Sequence, residues 1–151
     1  DASQALRNAC LAQKYDACNM LIQEGVSLTM NNLPGMLFFG SLAPITKAVK
    51  YLKDTGDWNP ECDDASKSLE EAFWRQKYDV CDMLIQEGVS LTMENLHSII
   101  WDIFAPSESI IKTVQHLKDI GNWNPNCDDA SETLLMAFRR QMEDVCNVLI
   151  D

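Results

Sequence analysis

The phrase QKYDVCDMLIQEGVSLTMENL, residues 76–96, decides how this chain is interpreted, because residues 13–33 read QKYDACNMLIQEGVSLTMNNL. The two phrases lie 63 positions apart and differ at three positions. A second phrase, LKDTGDWNPECDDAS at residues 52–66, returns as LKDIGNWNPNCDDAS at residues 117–131, an offset of 65 with three differences. Self-similarity at a nearly fixed period is typical of repeat proteins, in which like units stack on one another.

The two offsets also define the limits of the units. Because the second offset is two residues longer, two extra residues lie between the phrases, near the APSESI segment at residues 105–110. A third copy opens at Asp129 and is incomplete at Asp151. The chain is thus predicted to be a single repeat domain, 1–151, that is an excerpt from a longer array. Its predicted units are 1–32, 33–63, 64–95, 96–128 and the incomplete 129–151.

Apolar residues in the unit 64–95 recur at the spacing of amphipathic helices. The predicted buried stripe consists of Leu69, Ala72, Phe73, Val80, Cys81, Leu84 and Ile85. The polar run RQKYD, residues 75–79, breaks this stripe into two short helices. Asp64 and Ser66 offer N-cap oxygens for the first helix, and Gly88 suits a left-handed residue that ends the second.

The unit 96–128 repeats this plan of two helices. The predicted apolar face of its first helix is Leu96, Ile99, Ile100 and Ile103, and that of its second is Ile110, Ile111, Val114 and Leu117. Pro106 and Ser107 mark the break and the cap between them, and Gly121 marks the end. No strand-like alternation competes with this pattern. The predicted class is therefore all-α, an α-solenoid of stacked short helix pairs.

The segment SLEEAFWRQKYDVCDMLIQEGVSLT, residues 68–92, resembles an ankyrin repeat. The resemblance is carried by a leading Leu, a small Ala, two apolar pairs and a closing Gly, at Leu69, Ala72, Val80, Cys81, Leu84, Ile85 and Gly88. The family's Thr-Pro is absent, and Gln76-Lys77 replaces its usual Gly-His between the helices. The resemblance implies a stack of divergent ankyrin-like helix pairs, while another α-solenoid of short helix pairs stays open.

Composition restricts the partners of this protein. Acidic residues outnumber basic ones by 23 to 12, giving a net charge of −11. Binding to nucleic acid depends on Lys and Arg neutralising phosphates, and the basic residues form no stripe, so nucleic acid and anionic membranes are not expected as partners. No run approaches the roughly 20 apolar residues of a membrane span. We expect a soluble, cytoplasmic protein.

The cysteines, histidines and loops carry no recognisable catalytic, cofactor or metal motif. Cys18, Cys81 and Cys146 lie in the predicted apolar stripe, where a thiol behaves as a small hydrophobic group, although disulfides or a metal site stay open for the six cysteines. The loop GNWNPNCDDAS at residues 121–131 has calcium-like oxygen spacing, but Cys127 replaces the central Gly and Thr133 the closing Glu. We expect a protein that is not an enzyme and binds no cofactor or metal.

Two classes of function remain. The first is a protein-interaction module that binds through loops and first-helix faces, because stacked helix pairs leave such surfaces free to vary. The second is a structural spacer or self-assembly segment, favoured by how little the copies differ. The sequence itself does not identify a partner.

The WNP loops supply the candidate contact residues for a protein partner. Trp58 and Trp123 lie outside both apolar stripes, next to a Pro that restricts the chain, and Trp is enriched at binding hot spots. The alternative is that each indole covers the end of the preceding helix. The predicted rim around these tryptophans, which would favour a basic partner, consists of Asp57, Glu61, Asn122 and Asn126.

Overall fold

Ten α-helices and one short 3-10 helix make up the regular structure of the described residues, which contain no strand. The computed structural model describes residues 1–12, 14–37 and 40–151, without the side chains of Cys10 and Tyr15. The α-helices are α1 (Ala2–Leu11), α2 (Tyr15–Gln23), α3 (Leu33–Met36), α4 (Leu42–Thr55), α5 (Asp63–Trp74), α6 (Tyr78–Gln86), α7 (Met93–Trp101), α8 (Ser107–Asp119), α9 (Asp128–Arg139) and α10 (Glu143–Ile150). The all-α prediction is confirmed.

The helices contact one another in a regular order along the chain. Each odd-numbered helix packs against the even-numbered helix that follows it, and the odd-numbered helices also contact one another in sequence from α1 to α9. Every substantial contact among the described residues joins α-helices no more than three apart in the chain. None of these helices is both long and apolar enough to cross a bilayer.

The predicted apolar stripes form the core. In α5 and α6, Leu69, Ala72, Val80 and Leu84 have no exposed surface, while Ile85 is half-buried. In α8, Ile110, Val114 and Leu117 are likewise fully buried. One prediction in this set is wrong, because α7 ends at Trp101 and Ile103 lies beyond it with 70% of its surface exposed.

Helix ends follow local chemistry that recurs between copies. The Thr92 hydroxyl accepts the backbone N–H of Asn95 at 3.4 Å, and the Thr92 N–H donates to the Asn95 side-chain oxygen at 2.9 Å, which closes a capping box at the start of α7. Gly88 has φ of 93° and ends α6 as predicted. The N-cap of α5, however, is Cys62 rather than Asp64 or Ser66, because the helix begins at Asp63.

The two copies of the alternate unit differ in their first helix. A 3-10 helix at Met30–Asn32 leads into α3 of the unit 33–63, which has only four residues, whereas the matching helix α7 has nine. Pro34 lacks the N–H that would bond to the carbonyl four residues earlier, and Gly35 is a poor helix former. Local sequence therefore shortens one copy of a repeated helix.

Candidate interaction surface

Trp58 lies in the loop between α4 and α5, where it joins two units. Its indole Nε1 donates to the backbone carbonyl of Glu87 at 3.3 Å, just after α6, and its backbone N–H donates to the Leu52 carbonyl at 3.0 Å. The side chain is half-buried against the hydrophobic core. Trp58 thus covers the end of α6 in the following unit, and its role in binding a partner stays a prediction.

Trp123 occupies the matching place between α8 and α9. Its backbone N–H donates to the Leu117 carbonyl at 3.0 Å, and the Lys118 Nζ lies 5.4 Å from the centre of its ring. The same Lys118 ammonium donates to the Val148 carbonyl at 3.0 Å, near the end of α10. Trp123 is half-buried against the hydrophobic core as well, and Lys118, which lies over its ring, makes the contact with the next unit.

The four predicted rim residues are all exposed, and they lie in two separate loops. Asp57 accepts a hydrogen bond from the Thr55 hydroxyl at 3.0 Å, and the Asn122 side chain donates to the Leu91 carbonyl at 2.9 Å. Glu61 and Asn126 each donate a backbone N–H to an asparagine side chain two residues earlier, at 3.1 Å. Their side chains contribute polar surface, and a contact with a partner stays a prediction for them.

A more continuous surface lies on the exposed faces of the odd-numbered helices. A groove of about 440 Å³ crosses α3, α5 and α7, and it adjoins a second groove of about 180 Å³ that leads to Asp102. We call the two together the acidic groove. The charged residues that line it are the carboxylates of Asp63, Glu70, Glu71, Glu94 and Asp102 and the cations of Lys67 and Arg75.

Glu70 connects the two walls of the acidic groove. Its carboxylate accepts a hydrogen bond from the Asn95 side chain at 2.7 Å, which links α5 to α7. Burial raises the pKa of Glu70 above its ordinary value, and the neighbouring Glu71 and Glu94 carboxylates add to this effect. A cationic group bound in the groove would stabilise the ionised form of Glu70 and lower that pKa again.

Apolar side chains project from the chain where the acidic groove ends. Trp101 is 53% exposed, Ile103 is 70% exposed and Phe104 is 80% exposed. We call these three residues the apolar rim. The Trp101 indole N–H points at His97 Nε2, and the two nitrogens of His97 face Asp129 and Glu132 on α9 at 3.4 Å and 2.8 Å. The base of the rim is therefore attached to the next unit.

A single arginine fixes the backbone beneath the apolar rim. The Arg140 guanidinium donates to four carbonyl oxygens at 3.0–3.2 Å, those of Ile100, Asp102, Ile103 and Ala105. The planar fork of a guanidinium suits several acceptors at once. Sequence reasoning placed Ile103 on the buried face of a helix and did not single out Phe104 or Arg140, although the two-residue difference between the repeat offsets identified a change in length in this part of the unit.

The thiols lie where the repeat places them. Cys18, Cys81 and Cys146 are buried on second helices, as predicted, and Cys62, Cys81, Cys127 and Cys146 are free thiols. Burial raises the pKa of Cys81 to about 12, so this thiol stays protonated at neutral pH. Across the described part of the chain, no group of three or more His, Cys, Asp or Glu residues could hold a metal ion.

Comparison with known proteins does not identify a family for this chain. No family model, no curated protein and no solved structure matches it.

Proposed function

We propose that this protein is a non-catalytic interaction module, an α-solenoid of ankyrin-like helix pairs that binds a partner protein with a basic surface. The stack is supported by the order of helix contacts, in which the odd-numbered helices follow one another from α1 to α9. In such a stack each unit depends mainly on its neighbours, so exposed side chains can change without disturbing a shared core.

The acidic groove is the observation that carries this proposal. Its five carboxylates outnumber its two cations, and one of these cations, Arg75, lies 3.1 Å from the Glu71 carboxylate. A surface with a net negative charge attracts a positively charged partner, which increases the association rate and disfavours partners of negative charge. The groove therefore suits Lys-rich or Arg-rich segments of another protein.

Photo-crosslinking tests the proposal with a matched pair of positions. Ser98 is exposed and lines both parts of the groove, whereas Gln115 is exposed on α8, a second helix. A photo-reactive residue at position 98, but not at position 115, should capture a distinct partner from a cell extract. The proposal fails if the two positions capture the same proteins, or if position 98 captures none.

Charge reversal then shows whether the captured partner recognises the carboxylates. Glu71→Lys with Glu94→Lys should weaken its binding at least tenfold, because the groove would lose four units of negative charge relative to the native protein. Asp82→Lys, at an exposed position on α6, is the matched control. Native binding should also weaken as salt rises from about 0.05 to 0.3 M, because counter-ions screen exposed charges.

A self-assembly role is the second candidate, and it is favoured by how little the copies of the repeat differ from one another. Capture of only a second copy of this chain in the crosslinking experiment would favour this role over a separate partner.

A further inference from the structure

Ile103 and Phe104 are the most exposed large apolar residues of the described chain, at 70% and 80% exposure. They lie between α7 and α8, within the interval 96–117 in which the repeat offsets of 63 and 65 place two extra residues. Exposure of each side chain forgoes about 1.5–3 kcal/mol of burial, so these two residues do not serve the core.

The connection between α7 and α8 is no longer than the one between α3 and α4, because residues 102–106 and residues 37–41 each number five. The two extra residues therefore fall in the first helix, α7, rather than in the connection. Within the connection, Ala105 is buried, whereas Ile103 and Phe104 project outward. The connection therefore presents apolar surface to the surroundings of the protein.

Hydrogen bonds order the backbone of the connection between α7 and α8. Arg140 binds the carbonyl oxygens of Ile103 and of its neighbours, and the Phe104 N–H donates to the Asp102 carboxylate at 2.9 Å. The Ala105 N–H donates to the Asp102 carbonyl at 3.0 Å. Binding through a segment that is already ordered loses little conformational entropy, which favours affinity.

The charges around the apolar rim select the chemistry of its occupant. Asp102 belongs to both the rim segment and the acidic groove, and the Glu132 side chain beside His97 is 54% exposed. Since the Arg140 guanidinium is engaged by four carbonyl oxygens, it is not available to an incoming carboxylate. An apolar anchor flanked by carboxylates fits a segment that combines large apolar residues with Lys or Arg.

We infer that the apolar rim of Trp101, Ile103 and Phe104 is the anchor point for a basic, amphipathic segment of a partner protein, which extends from there along the acidic groove. This inference rests on the proposed function. The rim supplies the apolar contact, which is insensitive to salt, and the groove supplies the electrostatic contact, which salt weakens.

A designed peptide pair tests the chemistry directly. The probe is a labelled amphipathic helix of Leu and Lys, and the control peptide carries Glu in place of Lys. The native protein should bind the Leu/Lys peptide at least tenfold more tightly than the Leu/Glu peptide, measured by fluorescence anisotropy at low salt. Equal binding of both peptides, or no binding of the Leu/Lys peptide, would overturn the inference.

Substitution in the rim tests the location. Ile103→Ser with Phe104→Ser should weaken Leu/Lys peptide binding at least tenfold while the melting temperature changes little, because both side chains are exposed. Met20→Ser, at a residue that is 58% exposed on α2, is the matched control and should bind like the native protein. Unchanged binding by the double variant would overturn the rim assignment, while the proposed function would still be judged by crosslinking from the groove.

The same proteins also distinguish two other occupants of the apolar rim, a membrane and a second copy of the chain. Sedimentation with phosphatidylcholine vesicles would report a membrane contact, and sedimentation velocity of the protein alone would report a dimer. If either signal is present in the native protein and lost in the Ile103/Phe104 variant, the rim serves that occupant and the inference of a basic segment fails.

Discussion

The segments that join the paired helices in the two alternate units solve one problem in different ways. Between α3 and α4, the Lys77 ammonium donates to the carbonyl oxygens of Leu37, at 2.8 Å, and Gly40. Between α7 and α8, a segment of the same length is bound by Arg140 at four carbonyl oxygens. In both copies a cation of the following unit satisfies carbonyls at the end of the first helix.

The cation does not come from the same place in the repeat. Arg140 corresponds to Arg75, and Lys77 corresponds to Met142, at the offset of 65. Arg75 instead pairs with Glu71 and lies over the Trp74 ring, 4.3 Å from its centre. Two connecting segments of equal length are therefore bound by cations from different positions of the following unit. The repeats thus differ in how one unit meets the next, as well as in the length of the first helix.

The largest expected effect is from Arg140, because its removal leaves the most carbonyls without their partner. Arg140→Met should lower the free energy of unfolding by about 3 kcal/mol, near the upper value for hydrogen bonds to a charged group. Urea denaturation measures this loss, and amide hydrogen exchange should accelerate at Phe104 and Ala105. Arg139→Met, at the exposed neighbouring position, should change stability by less than about 0.5 kcal/mol.

If both arginine variants lose stability equally, the guanidinium contacts are not what holds the second segment. The contrast between Arg140 and Lys77 would then not explain how the two segments are held.

Lys77 should matter less, because its ammonium serves two carbonyls rather than four. Burial lowers the pKa of Lys77, with the positive charge of Arg75 adding to the effect, so part of its favourable interaction is offset by desolvation. Lys77→Met should cost about 1–2 kcal/mol by urea denaturation. Met142→Lys, the reciprocal exchange, should be nearly neutral, and a stabilisation there as large as the Lys77 loss would contradict the assignment.

The turn between paired helices offers a gain in stability in two copies of the repeat. Gln76 and Gln141 each have φ of 57°, a left-handed conformation that suits Gly, which is the residue the ankyrin pattern places there. Gln76→Gly and Gln141→Gly should each raise the free energy of unfolding by roughly 0.5–1 kcal/mol. Thermal melting compares them with Gln115→Gly inside α8, which should be destabilising by about 1 kcal/mol.

If the two substitutions raise the free energy of unfolding equally, the turn is independent of the connecting segment that Lys77 or Arg140 binds. If only one substitution raises it, the Lys77 or Arg140 contacts constrain the turn as well.

The smallest expected effect concerns Glu70, in the acidic groove near the segment between α7 and α8. Burial raises its pKa above the usual 4.5, and it is faced by Glu71 and Lys67 on α5 and by Glu94 on α7. A raised pKa means that the folded state binds the proton more tightly, so stability from this group is present at low pH and lost as pH rises through the folded pKa. Glu70→Gln should therefore be more stable than the native protein at pH 7.

Solvent screening keeps this gain small, at no more than about 0.5 kcal/mol. The difference should vanish below about pH 4, where both proteins carry a neutral group at position 70. Denaturation in urea at several pH values measures it. A gain that is constant with pH would assign the effect to packing against Asn95 rather than to the charge.

Sequence periodicity predicted most of the helices correctly, because apolar spacing reports which face of a helix is buried. The stripe in α5 and α6 and the ends at Gly88 and Gly121 are confirmed. Ile103 failed because its spacing continued an apolar pattern past the point where α7 ends. An apolar residue at helical spacing is buried only if the helix reaches it.

The candidate surfaces depended less on periodicity. Trp58 was identified from its loop, but its bond to the Glu87 carbonyl joins residues 29 positions apart that no local pattern connects. Arg140 reaches back 40 positions to Ile100, and the acidic groove collects carboxylates from two helices. These contacts depend on how the units pack against one another. A side chain that bonds to a residue of another unit leaves no periodic pattern in the sequence.

The sequence by itself determined the repeat, the class of the fold, the core stripes and the overall acidity, because these follow from spacing and charge along one chain. The tertiary structure decided which of the apolar residues stay exposed and which cation serves each connecting segment. It also decided which carboxylates lie together in the acidic groove. Exposure, cation contacts and the grouping of carboxylates all depend on distances between units. Ile103 and Phe104 are exposed because no other helix in the described part of the chain packs over them, and the packing of helices is defined only in the folded chain.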